Sequence, residues 1–134
     1  MENGLILSED QRKQMLSHIL ACLPEEACGL IAGTGNRAEA VLPVTNEMHS
    51  PYRFRMLPEE QLKAFMWLDE HNLDLLAVFH SHPTGPDHPS ETDMAEFEYP
   101  GVITVIWTPI AGQWKMNGFQ MDKENFGPVE LIEE

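Results

Sequence analysis

A continuous apolar run, Leu75-Leu76-Ala77-Val78-Phe79, constrains the fold of this chain more than any other feature. A run of this length without polar alternation is typical of a β-strand that is covered on both faces. A second β-branched run at residues 102–107 has the same character. The chain must therefore supply further elements on each side of a sheet.

Helical patterns of suitable length flank these runs. Ser8-Glu9-Asp10-Gln11 has the form of a capping box, and apolar residues recur behind it at helical spacing as far as Pro24, which should end the helix. Pro58 suits the first turn of a second helix, which should run to about residue 72. A short third helix is predicted over residues 91–98.

Between the helices lie short segments rich in strand-forming residues. We predict strands at residues 27–32, 38–45, 52–56, 75–79, 102–107 and 114–122, with a bulge near Gly118 in the last of them. Because helices and strands alternate, the predicted fold class is α/β, with a mixed β-sheet flanked by helices. The length of 134 residues fits a single domain over residues 1–134.

Charge and composition exclude several classes of partner. The formal net charge is −14, which argues against binding to nucleic acid or to an anionic membrane surface. No apolar run approaches the roughly 20 residues of a membrane-spanning helix, and residues 1–14 lack the apolar core of a signal peptide. We therefore expect a cytoplasmic protein whose two cysteines, Cys22 and Cys28, are buried free thiols. The sequence makes no prediction of oligomeric state.

The chemistry is concentrated between residues 80 and 93. His80 and His82 alternate at the end of the buried strand, so their side chains share one face, and Asp93 falls in the first turn of the predicted third helix. Two imidazoles and one carboxylate leave one tetrahedral position open, which is typical of catalytic zinc. We therefore predict a Zn²⁺ site with His80, His82 and Asp93 as its ligands.

A purely structural explanation also exists. Ser90-Glu91-Thr92-Asp93 has the form of a helix cap with an acid in the first turn, and two histidines around a serine can mark a strand that exits into solvent. With six His, five Ser and six Asp in the chain, however, the full spacing arises by chance roughly once in a few thousand such sequences. Both interpretations can hold together, since Ser90 can cap the helix and still serve the site.

The pattern His80-Ser81-His82, seven residues, Ser90, two residues and Asp93 resembles the complete signature of the JAMM, or MPN-plus, metalloprotease family. Glu26-Ala27-Cys28-Gly29 resembles the early strand on which that family carries a glutamate. The resemblance covers about residues 8–122 and departs from the family at Leu57, where a helix-capping aspartate is expected. It implies a mixed sheet flanked by helices, in a fold related to cytidine deaminases.

The resemblance also implies roles. His80, His82 and Asp93 would hold zinc, Glu26 would take a proton from the attacking water and pass it to the leaving amine, and Ser90 would help to stabilise the tetrahedral oxyanion. The substrate would be an amide or isopeptide bond at the C-terminal Gly-Gly of a ubiquitin-like modifier. The alternatives are release of an amino acid such as cysteine from a sulfur-carrier protein, and a non-catalytic metal-binding MPN scaffold.

Other classes of metal site fit the sequence less well. A zinc deaminase needs H-x-E and a later P-C-x-x-C, which this chain lacks. An iron oxygenase of the cupin type would need another histidine well downstream, and none follows His88. A RadC-like protein would carry an additional N-terminal helical domain. Of the residues outside the pattern, His88 is expected at the rim of the site and Cys28 in the core.

Overall fold

The computed structural model describes residues 4–134, which form seven strands and three helices. The three residues before Gly4, at the start of the predicted domain, lie outside the described part. The elements follow in the order β1 (Gly4–Leu7), α1 (Glu9–Cys22), β2 (Cys28–Thr34), β3 (Arg37–Val44), α2 (Pro58–Glu70), β4 (Asp74–Ser81), α3 (Glu91–Ala95), β5 (Ile103–Ile110), β6 (Gln113–Met121) and β7 (Phe126–Glu133).

The strands form one mixed sheet that closes on itself in the order β1-β3-β2-β4-β5-β6-β7. Strand β4 lies between antiparallel β2 and parallel β5, and β7 returns to pair in parallel with β1. The predicted mixed sheet with helices is confirmed. Glu26 directly precedes β2, and His80 and His82 lie at and just after the end of the neighbouring strand β4.

Helices α1 and α2 begin where the sequence places their caps. Ser8 accepts a hydrogen bond from the Gln11 amide, and the Gln11 side chain accepts one from the Ser8 amide, so the predicted capping box is confirmed. Helix α2 starts with Pro58 in its first turn, and Leu57 at its N-cap provides no side-chain hydrogen bond.

Alternate residues of the central strands contribute to two separate cores. Ile31, Ala77 and Phe79 pack with Met15 and Ile19 of α1 on one face. On the other face, the apolar residues Cys28, Leu30, Val44, Met56, Ala64 and Val78 form the second cluster, which includes the buried side of α2. His80 continues the second face of β4, so the end of that strand places a histidine beside the core under α2.

Several details differ from the predictions, among them the third helix, which ends at Ala95 and not at residue 98. Residues 52–56 do not form a strand, because only Met56 pairs, in an isolated bridge with Asn46. The register of β6 is continuous through Gly118, and the register shifts lie instead opposite Ala32 of β2, where β3 and β4 each carry one extra residue. Strands β1 and β7 were not predicted.

Among residues 4–134, no helix combines the length and apolar character needed to cross a membrane.

Candidate metal centre

The two histidines are fixed at the end of β4 by backbone hydrogen bonds on both sides. The Ser81 amide donates to the Ala27 carbonyl of the neighbouring segment at 3.0 Å, and the His82 amide donates to the Trp107 carbonyl of β5 at 2.9 Å. The rings of His80 and His82 lie 4.9 Å apart, and their side chains are only 1% and 3% exposed. The H-x-H spacing therefore brings two buried imidazoles together, as predicted.

Asp93 completes this group from the first turn of α3. Its Oδ2 atom lies 3.0 Å from Nε2 of His82 and 3.8 Å from Nε2 of His80. The same oxygen accepts the Ser90 amide at 2.9 Å, while the Ser90 hydroxyl accepts the Asp93 amide at 3.0 Å. The helix cap and the candidate site therefore share the same two residues.

The surroundings of Asp93 hold its pKa well below the ordinary value. Burial alone would raise that pKa, but the charge of His80, the hydrogen bond from His82 and the Ser90 amide all favour the carboxylate and prevail. Asp93 is therefore an anion at neutral pH, as a metal ligand must be.

Both ring nitrogens of His82 face acceptors. Its Nδ1–H donates to the Pro86 carbonyl at 2.6 Å, and Nε2 faces Asp93. Burial lowers the pKa of His82, but the contacts with Asp93 and Pro86 outweigh it and the net shift is upward. In metal sites, a backbone carbonyl that accepts from one ring nitrogen of a histidine orients the ring. The Pro86 carbonyl binds Nδ1 in this way, so Nε2 of His82 faces the centre.

Glu26 lies in the segment between α1 and β2, and hydrogen bonds hold that segment on both sides. Its amide donates to the Ser50 carbonyl at 2.8 Å, and its carbonyl accepts from Nδ2 of Asn46 at 3.0 Å. The next amide, of Ala27, donates to the Ser81 hydroxyl at 2.8 Å. The Glu26 side chain is 4% exposed, and its Oε1 lies 3.6 Å from Nδ1 of His80.

The group has unused capacity for a ligand. Among the described residues, Oε1 of Glu26 and Nδ1 of His80 are buried polar atoms without a hydrogen-bond partner, which is costly unless something else binds there. One ligand atom from each of Glu26, His80 and His82 lies within 4.8 Å of the others. Imidazole nitrogens and carboxylate oxygens are zinc donors. The residues present fit Zn²⁺, which is the cofactor that this centre accommodates.

A cavity of about 140 Å³ lies beside the centre and is lined in part by His80 and Asp93. Its walls combine apolar side chains, among them Phe54 and Val78, with charged ones, among them Arg55 and Glu96. The Phe54 ring lies against the His80 ring, with centroids 4.5 Å apart. The centre therefore has an adjacent space in which part of a substrate can lie.

Two further predictions concern residues beside the site. His88 is exposed and stacks on Phe126 with ring centroids 5.5 Å apart, outside the group of buried ligand atoms. Cys28 is fully buried in the second core cluster, and its thiol contacts the Val44 carbonyl at 3.5 Å. The prediction of Cys28 as a core residue is confirmed, whereas the place of His88 at the rim of the site stays a prediction.

Sequence reasoning did not identify Asn46, Ser50, Phe54 or Ser81 as contacts of the site. Ser81 had a signal, because its position between the two histidines places it on the opposite face of the strand, toward the next segment. Asn46 and Ser50 lie in an irregular loop, where no periodicity reports what a side chain or a carbonyl faces.

Together the fold and the site define a class: an α/β protein with a buried centre of two histidines and two carboxylates at the end of a central strand. The profile of Prok-JAB, described as prokaryotic homologs of the JAB domain, matches residues 8–121, and the chain belongs to this family.

Curated relatives and solved structures agree with this assignment. The chain is 38% identical to a desampylase of Pyrococcus furiosus over 81 residues, covering 60% of this chain and 58% of the relative. It is 33% identical to a CysO-cysteine peptidase of Mycobacterium tuberculosis over 92 residues, covering 67% and 63% respectively. The match thus spans less than two thirds of the length of these relatives. The solution structure of protein DSY2949 from Desulfitobacterium hafniense superposes with a TM-score of 0.87 at 32% identity, covering 97% of this chain and 92% of the other.

Proposed function

We propose that the protein is a zinc-dependent hydrolase that cleaves amide or isopeptide bonds at the C-terminal Gly-Gly of ubiquitin-like modifier proteins. The observation that carries this proposal is the position of the Glu26 carboxylate, buried and 3.6 Å from a histidine of the metal centre. A carboxylate at that place can move a proton, which hydrolysis requires and a structural site does not. The names of the similar desampylase and CysO-cysteine peptidase support the proposal.

In this proposal His80, His82 and Asp93 hold the metal. Zinc, when bound, supplies Lewis acidity, which polarises a substrate carbonyl and makes a water molecule easier to deprotonate. The Pro86 carbonyl orients His82, and the Ser90 amide orients Asp93. These contacts keep the ligand atoms in place before the metal binds.

Glu26 and Ser90 act on the reacting groups. Glu26 accepts the proton of the attacking water and returns it to the leaving amine. Its burial beside His80 favours this transfer, because competing solvent is excluded. The Ser90 hydroxyl already accepts the Asp93 amide, so its own proton remains available for donation to the developing oxyanion. Ser90 is thus both the helix cap and a candidate oxyanion donor.

The Gly-Gly specificity is part of the proposal. Glycines before the scissile bond carry no side chain and let the substrate backbone approach a buried centre closely. The test offers matched fusion proteins with Gly-Gly, Ala-Ala or Val-Val before the scissile amide. Selective cleavage of the Gly-Gly fusion is expected. Equal cleavage of all three would reduce the assignment to a general metallopeptidase.

A second candidate substrate is a sulfur-carrier protein that bears a C-terminal cysteine, favoured by the 33% identity to the CysO-cysteine peptidase. The bond broken is again an amide after a C-terminal glycine, so the same centre would serve. A lysine isopeptide and a cysteine adduct of one carrier protein, assayed side by side, separate the two. Absence of turnover on both, with zinc bound, would favour the non-catalytic scaffold.

The decisive experiment compares two adjacent glutamates. Glu26→Gln should keep zinc and lose about 10²–10⁴ in kcat, the usual share of a general base. Glu25→Gln is the matched control, because Glu25 is partly exposed and pairs with His49 on the surface. Zinc content by elemental analysis and turnover on the Gly-Gly fusion are measured for both. Full activity of Glu26→Gln would refute its role as the base.

The cellular location and the domain organisation of the protein are also part of this proposal. We place the protein in the cytoplasm, supported by two free thiols, Cys22 and Cys28, which a reducing compartment preserves. We also treat residues 1–134 as a single domain, supported by the closure of one sheet from β1 to β7. Cell fractionation tests the first statement, and a single cooperative unfolding transition tests the second.

A further inference from the structure

Asn46 is a buried polar residue that follows β3 and is 4% exposed. Its side chain makes four hydrogen bonds to backbone groups. Nδ2 donates to the carbonyls of Glu26 and Arg53, each at 3.0 Å, and Oδ1 accepts the amides of Met48 at 3.0 Å and Arg55 at 3.1 Å. Both donor hydrogens and both lone pairs of the amide are therefore in use.

The segment that Asn46 binds, residues 47–55, also contacts the candidate site at two further points. The Ser50 carbonyl accepts the Glu26 amide at 2.8 Å, and the Phe54 ring packs on His80 at 4.5 Å. An isolated bridge between Asn46 and Met56 closes the segment at its base. The segment thus bears directly on Glu26 and on a histidine of the centre.

Glu26 has no regular secondary structure of its own to fix it. It precedes β2, which begins at Cys28, so its amide and carbonyl depend on partners outside helix and sheet. Both partners belong to the region that Asn46 organises: one is the Asn46 side chain and the other is Ser50 within the segment.

We propose that Asn46 is the positioning residue of Glu26. This inference rests on the proposed function of Glu26 as the proton-transferring group. Asn46 does not touch the reacting atoms. It holds the Glu26 backbone and the segment 47–55 in one arrangement, so that the Glu26 carboxylate faces the metal centre.

Only an amide side chain meets all the requirements at this position. Asparagine offers two donors toward two carbonyls and one acceptor toward two amides. Aspartate has the same shape but no donor hydrogens, so the oxygen in place of Nδ2 would face the carbonyls of Glu26 and Arg53 with mutual repulsion. The isosteric change Asn46→Asp therefore removes the hydrogen bond to the Glu26 carbonyl and leaves the acceptor contacts with the Met48 and Arg55 amides.

The first test measures backbone amide hydrogen exchange and needs no substrate. In Asn46→Asp the Glu26 amide should exchange at least tenfold faster, because the bonds to the Glu26 and Arg53 carbonyls, two of the four that hold Glu26 and the segment together, are replaced by repulsion. The Ala27 amide, which donates to the Ser81 hydroxyl, should keep its protection. Asn117→Asp is the matched control: Nδ2 of Asn117 binds only the exposed Asp87 carbonyl, and the Glu26 amide should be unaffected.

The second test is kinetic. Asn46→Asp should lower kcat by about 10–100-fold, the scale of a misplacement of about 1 Å, with KM and zinc content near wild type. When it is combined with Glu26→Gln, the double variant should be no slower than Glu26→Gln alone, because a residue that acts through another adds nothing once that residue is gone. Additive losses would overturn the inference.

The outcomes separate the inference from the function on which it rests. If the wild-type protein hydrolyses no substrate, the proposed function fails, and the exchange data alone decide whether Asn46 fixes Glu26. If exchange at Glu26 is unchanged in Asn46→Asp, the positioning role is refuted even in an active enzyme. If Asn46→Asp does not fold, Asn46→Ser replaces it with the same two measurements and the same criteria, since serine also lacks the amide donors but adds no charge.

Discussion

Gly29→Ala should be among the most damaging single-methyl additions to this protein. Gly29 lies on β2 between Pro43 of β3 and Phe79 of β4. A Cβ at this position would lie 2.3 Å and 2.5 Å from two ring carbons of Phe79 and 2.7 Å from the Leu42 carbonyl oxygen. Neither neighbour can yield easily, because Phe79 is fully buried and the Leu42 oxygen belongs to the sheet backbone.

The size of the effect follows from these distances. Ordinary contact would require shifts of about 1 Å, and overpacking a tight core costs about 1–3 kcal/mol. We expect the upper end, about 3 kcal/mol, because backbone and aromatic ring clash together. For a chain of this length that corresponds to a fall in Tm of about 10 °C.

The assay is thermal and urea unfolding of Gly29→Ala beside Gly127→Ala. Gly127 is the matched control, because a Cβ there meets nothing within 4 Å. The control should unfold within about 2 °C of wild type. If Gly29→Ala also unfolds within about 2 °C, then the sheet relaxes around the new methyl group and the close approach of β2 and β4 is not a constraint. Because His80 follows Phe79, the displaced ring should also weaken zinc retention, measured by elemental analysis.

Three other predictions concern the hydroxyl, the metal and a buried thiol. Ser90→Ala should keep zinc and lose about 10²–10³ in kcat, with Ser90→Thr as the hydroxyl-retaining control; a variant that only unfolds would support a capping role alone. Removal of zinc with a chelator should abolish turnover on the Gly-Gly fusion and lower Tm, and added zinc should restore both; activity that survives complete removal would contradict the metal assignment. Burial raises the pKa of the Cys28 thiol from its ordinary value of 9.0 to about 12, so the folded protein keeps a proton that the unfolded chain releases. The free energy of unfolding should therefore fall between about pH 9 and pH 12, less steeply in Cys28→Ala than in wild type by urea titration, and equal slopes would contradict this.

The elements that the sequence predicted well are those with local signals. The Ser8 capping box and Pro58 mark helix starts by side-chain chemistry within one turn, and the run at residues 75–79 marks a buried strand by composition. The His80 and His82 pair follows from strand periodicity alone. In each case the pattern and the structure that it specifies lie within a few residues of each other.

The missed elements depend on distant partners. Strand β1 has four residues, too few for a pattern, and β7 has glutamates at exposed positions that resemble an acidic tail. Strand β1 is fixed by pairing with β3 and β7, and β7 is fixed by pairing with β6 and β1. Residues 52–56 show the converse: their composition favours a strand, but hydrogen bonds to Asn46 hold the segment in an irregular loop.

The parallel pairing of β1 with β7 has a consequence for how the chain folds during synthesis. Gly4–Leu7 is synthesised before its partner Phe126–Glu133, so β1 exists before the strand that closes the sheet on it. Until then the barrel has an open edge beside β1 and at β6, and such edges recruit strands from other molecules. The barrel can therefore close only after β7 has been synthesised, and during the interval before closure the two open edges are exposed to aggregation and to chaperones. Deletion of residues 126–133 should leave the edges of β1 and β6 permanently unpaired.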